Sequence, residues 1–202
     1  MSSPAFSCET PTAERIAEIA ASLFAERGYA AVSMREIASA VGMKAASLYN
    51  HFADKESLYL AAVTQAFSGI ASAIDEATAV EGTPHERLQA LIAALAGNHF
   101  NDDMTAKLLQ REVLDGDEDR LNWISENLFK QTFHQFSDVL GEIMHSDDSD
   151  RMALFVCGLV TGYTSFAPFF KRVGGDAFIT DTSEFSNEIA SRMVRNLERT
   201  EP

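Results

Sequence analysis

The chain has little cysteine, little proline and too few basic residues to balance its acids. Only Cys8 and Cys157 occur in 202 residues. Two thiols in unlike surroundings make no disulfide framework and fit a reducing, cytoplasmic compartment. Five prolines and few β-branched runs argue against an all-β fold. No apolar run reaches the ~18 residues of a membrane span. Residues 1–10 lack the basic and apolar regions of a secretory signal. Chemical signatures are missing too. There is no Gly-x-Ser-x-Gly, no phosphate-binding glycine loop and no His-Glu-x-x-His. Nothing therefore marks an enzyme or calls for a cofactor.

Basic residues are scarce but unevenly so. Sixteen Lys and Arg face 30 Asp and Glu, a net charge of −14. Residues 1–60 hold five basic and seven acidic residues; residues 61–202 hold 11 and 23. A broadly basic DNA coater is excluded. A near-neutral head on an acidic body is compatible with a small DNA-reading module.

What is present is helical periodicity. Thr12 is placed to cap a first helix, in which Ile16, Ile19, Ala20, Leu23 and Phe24 form one apolar stripe. Gly28 is expected to end it in the left-handed conformation. Ser33-Met34-Arg35-Glu36 reads as a capping box. Met34, Ile37, Ala38 and Val41 continue a short second stripe, which Gly42 stops. A third helix over 45–52 turns Leu48 and Phe52 inward. Asp54 opens a fourth that runs to about Val80. Beyond the break at 81–84, further helices are expected at 84–99, 103–115, 118–145, 149–172 and 182–199. That is an all-α fold of about nine helices, in three parts: a disordered tail over 1–10, a helix-turn-helix domain over 11–57 and a helical body over 58–202.

Two short helices joined by a glycine turn, after a longer one, have the shape of a helix-turn-helix. Small residues (Ala38, Ala40, Gly42) allow the close crossing, and Ala46, Ser47, Asn50 and His51 lie off the buried stripe. The order Gly28-Tyr29, Ser33 to Ala38, Val41-Gly42-Met43, Ser47-Leu48-Tyr49-Asn50-His51-Phe52 and Asp54 to Leu58 resembles the DNA-binding domain of the tetracycline-repressor (TetR) family. The resemblance covers about residues 12–60. It implies a homodimer on a palindromic operator, most simply a repressor released by a small apolar or aromatic effector. It places Ser33, Arg35 and Lys55 near the phosphate backbone. Lys44, Ala45, Ala46, Ser47, Asn50 and His51 fall on the groove side, and Tyr49 bonds a phosphate. Each has a plainer reading: Tyr49 as a half-buried aromatic, Lys55 and His51 as solvated surface, Arg35 as the partner of a nearby Glu. Many family members carry a basic residue and a glycine where this chain has Ala45 and Ala46. With no Arg after Lys44, guanine readout has fewer routes, and Asn50 is left to read adenine.

The body is rich in aromatics between residues 100 and 170. A bundle core explains most of them. The family resemblance adds an effector cavity, for which Phe100, Met104, Leu108, Trp123, Asn127, Tyr163 and Phe166 are candidates. It also puts the subunit interface on the last two helices, with Gly158 and Gly162 on one and Phe185, Ile189, Met193 and Leu197 on the other. Packing within one chain is the alternative. Two metal-like spacings carry little. Asp115, Asp117, Asp119 and Glu126 mimic a calcium loop, but Arg120 stands where that loop needs glycine. Glu142-x-x-His145 lacks its partner motif. No metal is expected. The competing readings are a helical-bundle enzyme and a DNA-binding regulator without a small-molecule effector.

Overall fold

The computed structural model describes residues 12–101, 103–144, 148–179 and 181–197, without the side chains of 98–101, 103 and 193–197. Eleven α-helices and no strand occur among the described residues. The chain divides into two compact units, one ending at Ala66 and the other beginning at Phe67.

The first unit holds α1 (Ala13–Arg27), α2 (Met34–Val41), α3 (Ala45–Leu48) and the start of α4 (Lys55–Thr78). The Thr12 hydroxyl accepts the Arg15 N–H and caps α1. Ile16, Ala20 and Phe24 of α1 are fully buried with Ile37, Leu48 and Leu58. Tyr59 meets Phe24 edge-on at 4.9 Å and Tyr29 at 5.0 Å. Gly28 differs from expectation. Its φ of 80° comes with ψ of 163°, which is not the left-handed helical cap but a region open essentially to glycine alone. Gly42 does adopt the left-handed cap, at φ 82° and ψ 25°.

The third helix is shorter than its sequence pattern. Regular α-helix ends at Leu48, and turn hydrogen bonds carry the chain on: Asn50 N–H to Ser47 O, and His51 and Phe52 N–H to Leu48 O.

The second unit is built around α5 (Pro84–Asn101), which packs against α8 (Lys130–Met144), α9 (Ser149–Ser165) and α11 (Thr182–Leu197). Leu88, Leu91, Ile92, Leu95 and Ala96 fall at helical spacing on its buried side. Phe136, Leu140, Val156, Val160 and Phe185 complete this core. α6 (Asp103–Asp115) and α7 (Glu118–Ile124) precede α8.

Two long helices read from the sequence are broken here. The segment 118–145 contains a π-helical turn at Ser125–Phe129 between α7 and α8. The segment 149–172 bends by 76° beyond Ser165, and α10 (Ala167–Gly174) follows at the new angle. Pro168 lies in the first turn of α10. With no N–H to give to Thr164, it favours a new helix start over continuation.

α4 is long and apolar enough to cross a membrane by length and composition. Leu58, Tyr59, Ala62, Val63, Phe67, Ile70 and Ile74 are nonetheless buried in protein, as in a helix that belongs to a folded core.

Candidate nucleic-acid interface

The corner between α1 and α2 is held by charge. Ser33 and Glu36 form the full capping box. Glu36 accepts from the Ser33 N–H at 2.8 Å and the Ser33 hydroxyl at 2.7 Å, and the Ser33 hydroxyl accepts from the Glu36 N–H at 3.3 Å. Arg27 Nη2 then donates to Glu36 at 2.7 Å and to the Ala31 carbonyl at 2.9 Å. The Ser33 hydroxyl, Arg27 and the Ser33 amide together hold the Glu36 carboxyl down to about 2. Sequence reading missed this role of Arg27. Nine residues separate the pair, beyond any single-helix spacing, and only the turn brings them together.

Leu48 is the anchor of α3, fully buried, with Phe52 half-buried behind it. Around that anchor Lys44, Ala46, Asn50 and His51 are exposed, and Ala45 and Ser47 are half-buried. Tyr49 is 51% exposed. Arg35 is exposed at the start of α2. The Ser33 hydroxyl is engaged by Glu36, so a phosphate must compete for it. Asp54 accepts the Ser57 N–H at 2.7 Å and fixes the start of α4. Lys55 extends from that start over the Tyr29 ring, at 4.3 Å from its centroid. The unit thus offers a short anchored helix with exposed polar side chains and cations at the starts of three elements, Arg35, Lys44 and Lys55. This is the layout of a helix-turn-helix DNA-binding protein.

The effector candidates do not gather so plainly. Leu108 is buried, and Met104 and Trp123 are half-buried. Asn127 is exposed and donates to the Trp123 carbonyl at 2.7 Å. Tyr163 stacks on Phe178 and Phe185 at 4.8 and 4.7 Å and accepts the Ile179 N–H. Phe166 is 61% exposed. The Phe100 side chain lies outside the described residues. A polar recess of about 620 Å³ does occur, but along α1 and Gln65 in the first unit.

The interface candidates also separate. A Cβ on Gly158 or Gly162 would meet nothing within 4 Å, so this stripe of α9 is open. Phe185 is 1% exposed inside its own unit and Ile189 is half-buried. The side chains of Met193 and Leu197 lie outside the described residues. The calcium-like spacing has another explanation. Arg120 bonds Asp117 at 3.1 Å and the buried Glu112 at 2.9 Å, with Asp115 at 3.9 Å. Glu142 is paired with Arg87, and His145 lies outside the described residues. Cys157 is half-buried, and burial pushes its thiol up to about 11. That suits an unreactive cysteine.

Comparison with known proteins agrees with the geometry. Residues 16–62 match the bacterial regulatory proteins of the tetR family. Over 41 residues the chain is 56% identical to the HTH-type transcriptional repressor KstR2 of Rhodococcus jostii, 20% of each protein. Over 75 residues it is 35% identical to the HTH-type transcriptional activator FasR of Mycolicibacterium smegmatis, 37% of this chain and 34% of that one. These matches span well under two thirds of the relatives' own lengths. The fold likeness reaches further. The Bacillus subtilis regulator FadR, solved with stearoyl-CoA, aligns over 89% of this chain and 96% of its own with a TM-score of 0.72 at 19% identity. The N-terminal residues thus match the tetR-family model, and the fold of the whole chain is similar to that of solved regulators.

Proposed function

We propose that this protein is a ligand-responsive transcriptional regulator, a repressor that binds a palindromic operator as a homodimer in the cytoplasm. The observation that carries the reading is the exposed set Arg35, Lys44, Tyr49, Asn50 and His51 around the buried Leu48 anchor. On a chain of net charge −14, affinity for DNA must come from such a local set. Residues 11–57 are the reading head. Residues 58–202 hold the effector and the partner, and no catalytic step is assigned to them.

The open stripe of α9 supports the homodimer. Leu154, Phe155 and Leu159 are 50 to 64% exposed beside the unobstructed Gly158 and Gly162. The apolar-effector reading is supported by the stearoyl-CoA that the FadR structure carries and by the rings stacked on Tyr163. An effector acts by binding the DNA-competent and DNA-released states with different affinity.

The test is selection of bound fragments from the source genome by the purified protein at near-physiological salt. Recovery of one short palindrome, with half-sites about one helical turn apart, is the expected result. A folded, effector-free dimer that recovers no fragment refutes the reading.

A further inference from the structure

α3 opens unlike the other helices of its unit. Thr12, Ser33 and Asp54 open α1, α2 and α4, each accepting the backbone N–H of the residue three places on. At the start of α3 stands Lys44, extended at φ −74° and ψ 144°, with no side-chain cap hydrogen bond. An ammonium only donates, so Lys44 has nothing with which to accept an orphan N–H. It also brings positive charge to a helix end that already carries some. Ser, Thr, Asp or Asn holds such an end better. Lys44 is therefore a local cost to α3.

Nothing on its own chain offsets that cost. Lys44 is exposed, and among the described residues its side chain has no hydrogen bond or ion pair. Other cations of the unit are engaged: Arg27 on Glu36 and Lys55 on the Tyr29 ring. From Lys44 to Leu48 only Lys44 and Ala46 are exposed, while Ala45 and Ser47 are half-buried and Leu48 is buried. Ala46 presents a methyl group. A ligand at the start of α3 thus meets one exposed polar side chain, and that side chain is a donor without an acceptor.

Donor-only chemistry selects among the bases. In a helix-turn-helix the first residues of the second helix are the ones that reach base edges in the major groove. Cytosine offers an amino donor there, and adenine sets a donor beside its N7. Thymine has one acceptor beside a methyl group. Guanine presents two adjacent acceptors, O6 and N7, and no donor. A helix of four residues sums to little dipole, so the contact is the ammonium's own.

We propose that Lys44 is a specificity-determining residue, donating to O6 and N7 of a guanine in each operator half-site, and that α3 forgoes a side-chain cap to keep it there. This rests on the operator-binding reading above. The test uses the full chain and a library of duplexes of randomised sequence, selected at near-physiological salt by the parent, by Lys44→Ser and by Lys44→Arg. The parent should enrich a palindrome with a fixed guanine in each half-site. Replacing that guanine by adenine, or by 7-deazaguanine, which lacks the N7 acceptor, should weaken parent binding by about fivefold or more. Lys44→Ser should bind the original and replaced duplexes alike. It should melt no lower than the parent, because serine caps the helix start. Lys44→Arg should keep the preference, since a guanidinium meets the same two acceptors. A Lys44→Ser protein that still prefers guanine at that position overturns the proposal. So does an affinity loss equal for all sequences with the salt slope reduced by about 0.9, the mark of a phosphate contact alone. In both cases the parent has still selected a palindrome, and the operator reading stands. A Lys44→Ser protein that melts below the parent overturns the forgone cap. A folded, effector-free parent that enriches no sequence overturns both the proposal and the reading beneath it.

Discussion

Replacing Arg120 by alanine should damage the body far more than an ordinary arginine substitution. Its side chain is 9% exposed, and its partner Glu112 is 1% exposed. Arg120 Nε donates to Glu112 at 2.9 Å and Nη1 to Asp117 at 3.1 Å, while Asp117 caps α7 through the Arg120 N–H. Removing Arg120 takes a close counter-charge away from a buried carboxylate. That costs about 3–5 kcal/mol. For a chain of this size each kcal/mol moves the melting temperature by about 2–4 °C, so a fall on the order of 10 °C is expected. Calorimetry of the full chain at pH 7 reads it. The control is Glu112→Leu with Arg120→Met, which removes both charges and keeps the volume. It should recover most of the loss, because a buried ion pair and an apolar pair of similar shape are nearly equivalent. A loss below about 1 kcal/mol for Arg120→Ala, or a double variant as unstable as the single, would refute the claim that this pair is a buried, coupled unit.

Three further outcomes follow from named contacts. Glu36 has its carboxyl held at about 2, against an ordinary 4.5; a depressed acid stabilises the fold above its unfolded value and loses that contribution as pH falls towards the folded one. The stability gap between the parent and Glu36→Ala should therefore be constant above about pH 5 and shrink between 4.5 and 2, as read by urea melts at each pH; a gap that widens on acidification contradicts the assignment. Gly28→Ala forces a side chain into φ 80°, ψ 163° and should cost about 1–3 kcal/mol, with a smaller loss in denaturant melts arguing that the α1–α2 turn rearranges freely. Asn50→Ala, measured on base-substituted operators, should lose discrimination at one A·T pair by about 1–3 kcal/mol; unchanged discrimination removes Asn50 from the readout.

The reading head was legible because its signals are local. A cap and its partner lie three residues apart, as Ser33 and Glu36 do. A glycine that must take positive φ announces a helix end, as Gly42 does, and Leu48 marks the buried side of α3 without help from elsewhere. Local rules fail where the determinant is tertiary. Gly28 does end its helix, but with a ψ of 163° in a turn that Arg27 bridges to Ala31 and Glu36, contacts beyond any local pattern. Pro168 lies inside the segment 149–172 expected as one helix, and its missing N–H marks the bend after Ser165 that the apolar pattern does not show.

The π-turn shows why the body resists sequence reading. From α8, the inward positions Leu140, Phe136, Phe133 and Phe129 step back by three or four. Continued α-helix would next bury Ser125 or Glu126, and then Leu121 or Asn122. The structure buries Ile124 and Arg120 instead. One extra residue in the turn at Ser125–Phe129 rotates α7 by about 100°, one residue's share of a 3.6-residue turn. That rotation delivers Arg120 to Glu112. It also leaves Glu126 outside, paired with Lys130. A reading that assumes one register per helix takes 118–145 as a single helix, where it is two stripes offset by one position. The same offset keeps Trp123 half-buried, while Phe129, in the α8 register, meets Phe67 of α4 edge-on at 5.2 Å. The register of α7 thus depends on one inserted residue, and deleting Glu126 should restore continuous α-helix while both stripes stay in phase.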